Sequence, residues 1–265
     1  MTEERETAWT PEPLEPFGVA LHAARAGAAV TDIPATFVEE LVARHRVVVA
    51  RGFARLTAAA LPEFGRRFGE VLAWDFGEVN ELRADAAARN YLYTNRDVPF
   101  HWDGAFVGRV PRYIVFQCEA APAPGAGGET LFCDTPRLLE RAGPRLREVW
   151  AGIAVTYTTE KVVHYGGTFT SPLLARHPST GEAVLRFAEP VEDLNPVSLE
   201  ISGLGRAGRE EFLRDMGRRL RDPAVCLVHR WEAGDLLLAD NHALLHGRRA
   251  FARAAPRHLR RVNVL

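Results

Sequence analysis

Three short, almost unbroken apolar runs limit what this chain can fold into: Val47–Ala50, Tyr113–Cys118 and Leu236–Ala239. Runs of this length, bounded by charged, glycine or turn-forming residues, read as buried strands rather than helices. Further strands are expected at Tyr91–Tyr93, Glu129–Cys133, Ala154–Thr158, Val225–Trp231 and Arg257–Leu265, with a tight turn at Glu232–Asp235. Between them lie helical patterns. Phe37, Leu41 and Val42 share a face after Pro34, and Leu61, Phe64 and Phe68 do so after a Thr57 cap. Residues 136–150 and the charged segment Ala207–Arg221, with Phe212 and Met216, complete the set. The expected class is mainly β with flanking helices, a β-sandwich or jelly-roll barrel. Residues 1–16 read as a flexible arm, 17–265 as one domain. The Gly- and Pro-broken stretch from about 160 to 196 reads as a lid-like insertion.

Bulk properties exclude several roles. A net charge of −1 argues against nucleic-acid binding. No apolar run reaches the length of a membrane span. Cys118, Cys133 and Cys226 are too few and too scattered for a disulfide framework, which suits a cytoplasmic protein. Nothing in the composition opposes a homo-oligomer. Lys161 is the only lysine, so basic charge is carried almost wholly by arginine.

The chemistry concentrates in Phe100-His101-Trp102-Asp103-Gly104. His101 and Asp103 leave an extended backbone on the same face, so an imidazole and a carboxylate converge there. Of the nine histidines, His101 alone has a carboxylate two residues later. A second histidine would complete the two-His, one-carboxylate set of non-haem Fe(II) oxygenases. The apolar strand Leu236–Ala239 runs into Asp240-Asn241-His242 and then His246-Gly247-Arg248, which offers two rivals, His242 and His246. The other histidines considered (His22, His45, His177, His229 and His258) read as surface or outlying polar residues. In the last strand Arg257, Leu259, Arg261 and Asn263 share one face, while His258, Arg260 and Val262 share the other. Either choice of inner face puts arginine in the interior, where a guanidinium requires an anion.

Together these motifs resemble the TauD/TfdA family of Fe(II)/2-oxoglutarate dioxygenases, clavaminate synthase-like proteins. The likeness rests on His101-Trp102-Asp103, Gly127-Gly128-Glu129-Thr130, Asp240-Asn241 with His246-Gly247-Arg248, and Arg257 to Arg261. It implies a double-stranded β-helix core and Fe(II) held by His101, Asp103 and His246, with His242 left in a loop. It further implies that Thr130 and Arg257 hold the distal carboxylate of 2-oxoglutarate, with dioxygen as the other co-substrate. Arg261 would anchor an anionic group of a small substrate. The carboxylate at Asp103 points to hydroxylation or desaturation, because related halogenases have a small residue there. Tyr93, Asn95, Phe100, Lys161, His164 and Tyr165 are the candidate cleft walls.

A narrower likeness joins His101–Gly104, Phe132-Cys133-Asp134-Thr135-Pro136, His164–Gly167 with Ser171-Pro172, and Ala239–Asn241 with Leu245–Arg248. These resemble the PvcB-type branch, which implies oxidation of an aromatic amino-acid isonitrile in natural-product biosynthesis. Three other readings use the same residues: a catabolic taurine, sulfonate or phenoxyacid dioxygenase, a zinc hydrolase, and a metal-free jelly-roll binding module.

Overall fold

The apolar runs are continuous because the sheet that holds them is covered on both faces. A computed structural model describes residues 8–85, 87–160 and 166–265. Its largest sheet has seven strands in the spatial order Trp9–Pro13, Val19–Ala23, Val47–Arg51, Leu236–Asp240, Tyr113–Ala120, His258–Val264 and Asn80–Arg83. Opposite it lies a four-stranded sheet, ordered Cys226–His229, Thr130–Asp134, Leu244–Arg248 and Val98–His101. Phe116, Leu237, Ala239 and Leu259 from the large sheet meet Phe132, Leu227 and Leu244 from the small one in a shared core. Two sheets closed face to face in this way form the expected jelly roll.

The alternate residues of the large sheet face outward, yet they too are apolar. Val48, Ala50, Leu236, Leu238, Val115 and Val262 pack under the helices Ala35–His45 and Ala60–Arg66, against Val38, Leu41, Leu61 and Phe64. On the far side of the small sheet, the helices Thr135–Ala151 and Arg206–Leu220 cover a third cluster through Leu138, Leu139, Met216 and Leu220. A strand buried on both faces loses its polar alternation. Leu237 is fully buried between the sheets. Leu237→Ala is therefore expected to cost about 2–5 kcal/mol, read as a lower midpoint in chemical denaturation.

Two local expectations, for Tyr91–Tyr93 and for His177 with His229, are corrected, and two loosely patterned segments prove to hold strands. Tyr91–Tyr93 forms a 3-10 turn rather than a strand, because the Asn90 side chain accepts the Leu92 N–H at 2.9 Å and curls the chain. Within the N-terminal arm, Trp9–Pro13 is an edge strand paired with Val19–Ala23, and Trp9 packs on Phe37. The stretch from 160 to 196 contains the strands Gly167–Pro172, Leu174–Arg176 and Ala183–Leu185, which bury Leu173, Leu185 and Phe187. Gly167 and Pro172 sit at the two ends of the first of these strands, and Pro178 and Gly181 fall in the turn between the other two, which hid the pattern. His177 and His229 are buried rather than superficial, since each has a carboxylate partner, Asp240 and Asp235. Among the described residues no helix is long and apolar enough to cross a membrane.

Candidate metal centre and cleft

His101 ends the strand Val98–His101, and its cross-strand partner in the small sheet is His246. The two rings lie 4.2 Å apart, centre to centre. Asp103 follows one residue beyond Trp102, at a turn that requires Gly104: a Cβ there would sit 2.4 Å from the Arg109 carbonyl oxygen, at a φ of +99°. Asn241 braces this turn. Its Oδ1 accepts the Asp103 N–H at 3.0 Å, while its Nδ2 donates to the Asp103 and Pro111 carbonyls.

The three side chains meet at Asp103 Oδ1, which is 3.8 Å from Nε2 of both His101 and His246. That spacing is too long for hydrogen bonds. One ion can bridge it, since two metal–ligand bonds of about 2.1 Å span up to about 4.2 Å. His101 Nδ1 contacts the Pro99 carbonyl at 2.9 Å, so this nitrogen carries the proton and Nε2 presents a lone pair. Burial lowers the pKa of both imidazoles, His246 to about 3 with help from neighbouring His101. Burial alone would raise the Asp103 carboxyl. Arg261, then His246 and His101, and the Asn263 hydrogen bond outweigh it and hold the group at about 2. At neutral pH the centre therefore offers two neutral imidazoles and one carboxylate, a donor set that fits Fe(II).

A second trio, His177, Asp240 and His242, also lies within ligand spacing. Its groups are already engaged. His177 Nε2 contacts Asp240 and its Nδ1 accepts the Ser179 and Thr180 N–H groups. Asp240 also accepts the His242 and Ala243 N–H groups, with Arg46 3.6 Å away. This cluster ties down the turn before His246, and it separates the two rival histidines.

Two cavities meet at His101 and Arg261. One is lined by His246, Thr130, Arg257, Phe116 and Val98. Arg257 donates to the Gly128 carbonyl at 2.8 Å and lies 3.4 Å from Thr130 Oγ1, which also accepts the Trp231 N–H. The other is a cleft that opens beside Asp103 and Gly104. Trp74, Tyr91, Trp102, Phe106, Val107 and Glu189 are among its walls. Arg261 places Nη1 3.0 Å from Asp103, while its Nε is buried without an acceptor among the described residues.

Of the expected walls, Tyr93, Asn95 and Phe100 are not brought to this cleft. Tyr93 donates to Asn80, Asn95 donates to the Phe251 carbonyl, and Phe100 is 1% exposed in the third core cluster. Lys161, His164 and Tyr165 lie outside the described residues. Trp74, Phe106 and Glu189 went unseen in the sequence, since each comes from a segment without periodicity. Asn263, on the arginine face of the last strand, donates to Asp103 Oδ2 at 2.8 Å.

The family described as "Taurine catabolism dioxygenase TauD, TfdA family" matches residues 12–263. The chain belongs to this family. The dioxygenase depends on Fe(II) and 2-oxoglutarate, uses dioxygen and acts on a small molecule. It is 43% identical to 3-((Z)-2-isocyanoethenyl)-1H-indole synthase of Fischerella ambigua, over 99% of this chain and 97% of that protein. It is 38% identical to tyrosine isonitrile desaturase of Pseudomonas aeruginosa, over 94% and 87% of the two chains. Among solved structures it resembles PvcB, "an Fe, alpha-ketoglutarate dependent oxygenase from an isonitrile synthetic pathway", with TM-score 0.79, 35% identity, and coverage of 97% and 90%. A taurine dioxygenase from Burkholderia xenovorans shares the fold at TM-score 0.75 and 21% identity, covering 97% and 89%.

Proposed function

We propose that this dioxygenase oxidises, by hydroxylation or desaturation, a carboxylate-bearing isonitrile derived from an aromatic amino acid, in natural-product biosynthesis. The observation that carries the reading is the cleft itself, where aromatic walls stand beside an interior arginine with an unpaired Nε. Planar rings pack well against Trp74, Trp102 and Phe106, and a substrate carboxylate would add a second anion beside Arg261, whose Nη1 already pairs with Asp103. The names of the relatives from Fischerella ambigua and Pseudomonas aeruginosa support the same substrate class.

In this reading His101, Asp103 and His246 hold the iron, and Thr130 with Arg257 holds the distal carboxylate of 2-oxoglutarate. With its co-substrates bound, the iron supplies a two-electron oxidation of the substrate coupled to loss of carbon dioxide and formation of succinate. The protein's own work is to orient. Arg261 sets the substrate carboxylate beside the metal, and the apolar walls exclude bulk water from the reacting carbon. We read the described residues 166–196 of the 160–196 stretch as the cover of the cleft, since Ala188, Glu189 and Val191 line it. The three free, buried cysteines suit the cytoplasm.

Substrate-dependent succinate formation tests the reading. Tyrosine- and tryptophan-derived isonitriles are expected to stimulate it at least about 10-fold over the substrate-free rate, a difference of about 1.4 kcal/mol. Stimulation by taurine or a phenoxyacetate, with none by either isonitrile, would replace the proposal with the catabolic alternative.

A further inference from the structure

Asn263 is fully buried on the final strand, at a position where its neighbours Val262 and Val264 are apolar. A buried amide is costly unless hydrogen-bonded, so its presence in this core needs a cause. Its side-chain Nδ2 donates to Asp103 Oδ2 at 2.8 Å, while its Oδ1 is buried with no donor among the described residues. The amide is thus half satisfied, and the satisfied half is spent on one oxygen of one carboxylate. Nor is the choice of oxygen neutral. Asp103 Oδ1 faces both imidazoles at 3.8 Å, and Asn263 takes the other oxygen. Arg261 spans the pair, 3.1 Å from Oδ1 and 3.0 Å from Oδ2, so it steadies the group without selecting between them. Asn263 supplies the asymmetry.

We propose that Asn263 is a positioning residue that holds Asp103 as a one-oxygen metal ligand, with Oδ1 toward the metal and Oδ2 tethered. This inference rests on the assignment of His101, Asp103 and His246 as the metal ligands. A carboxylate free to turn can offer both oxygens to one ion and take up a position that a facial triad leaves open for co-substrates. A hydrogen bond to the distal oxygen restrains that rotation. Asn241 fixes the Asp103 backbone in the same way that Asn263 fixes its carboxylate, so the ligand is held at both ends.

The test measures Fe(II) affinity anaerobically, by competition with a chromophoric chelator, together with thermal unfolding of the metal-free protein. Asn263→Leu keeps the branched side-chain shape and removes the donor. It is expected to weaken Fe(II) binding about 10- to 100-fold, while the metal-free melting temperature changes little, because loss of an unsatisfied buried amide oxygen offsets loss of the bond to Asp103, whose oxygens Arg261 still holds. A packing role alone would lower the melting temperature and leave the metal constant unchanged. Asn263→Ser leaves room for a bridging water and is expected to fall between wild type and Asn263→Leu in affinity, which keeps the test valid if the leucine variant does not fold. Asp103→Ala separates the two levels of the argument. If it abolishes binding while Asn263→Leu and Asn263→Ser bind like wild type, the positioning role is refuted alone. If Asp103→Ala also binds like wild type, the ligand assignment beneath it falls.

Discussion

His246→Ala is expected to abolish 2-oxoglutarate-dependent turnover, lowering succinate formation by at least about 10³-fold, equivalent to about 4 kcal/mol of barrier. The size follows from how little else the site offers. Among the described residues, only two imidazoles and one carboxylate converge on the cross-strand point between residues 101 and 246. Removing one ligand leaves a pair too poor to retain Fe(II) against water. The fold should survive. The His246 ring sits against Phe116 and Phe132, and burial already makes it neutral, so its loss opens a small cavity without stranding a charge. His242→Ala is the informative contrast. It lies four residues earlier in the same connection but belongs to the His177–Asp240 cluster, where its ring packs edge-on against His177 and reaches the Val110 carbonyl. That variant is expected to unfold at lower temperature yet keep iron-dependent turnover under conditions where it is folded. Retained turnover in His246→Ala, with specific loss of iron binding in folded His242→Ala, would move the centre to the second cluster.

The contrast between these histidines also marks how far the sequence could be read. Asp103 and His101 were legible because two residues of extended chain suffice to bring them together. Nothing local distinguishes His246 from His242. That choice is made by the register of Leu244–Arg248 beside Val98–His101, a pairing of segments more than a hundred residues apart. A period of two sorted the last strand into two faces but left open which one is inner; the structure turns Leu259 and Arg261 toward the space between the sheets. The cleft walls were not legible. Trp74 stands on the bridge between Trp74 and Gly77, and Phe106 on a short turn after Gly104. Such loops carry no periodic signal, and their side chains reach the cleft only through tertiary placement. Phe100 misled for the converse reason: adjacency to His101 puts it on the opposite face of the strand, in the core.

The other large effect concerns Arg257. This guanidinium is buried, with the Gly128 carbonyl and the Thr130 hydroxyl as neutral partners, and none of its hydrogen bonds among the described residues goes to a carboxylate. Burial, reinforced by nearby Arg248, pushes its pKa down to about 9. A base whose folded-state pKa lies below its ordinary value binds its proton less readily folded than unfolded. The charge therefore opposes folding fully below about pH 9. That opposition fades as pH rises from there toward the ordinary arginine range, so stability from this group increases with pH across that window. A dicarboxylate seated against Arg257 and Thr130 supplies the missing partner and should remove the opposition at neutral pH. Adding 2-oxoglutarate, or succinate as a non-reacting probe, is thus expected to raise the melting temperature and to flatten its dependence on pH above 9. Arg257→Leu should leave the ligand-free protein as stable or more so, and make its melting temperature insensitive to succinate. It should weaken 2-oxoglutarate by about 2–5 kcal/mol, or about 30- to 5,000-fold in KM where KM reports binding. Arg257→Lys should not restore the constant, because an ammonium cannot reproduce the planar fork. An unchanged KM for 2-oxoglutarate in Arg257→Leu would place the co-substrate carboxylate elsewhere, and the unpaired interior charge would then lack any functional cause.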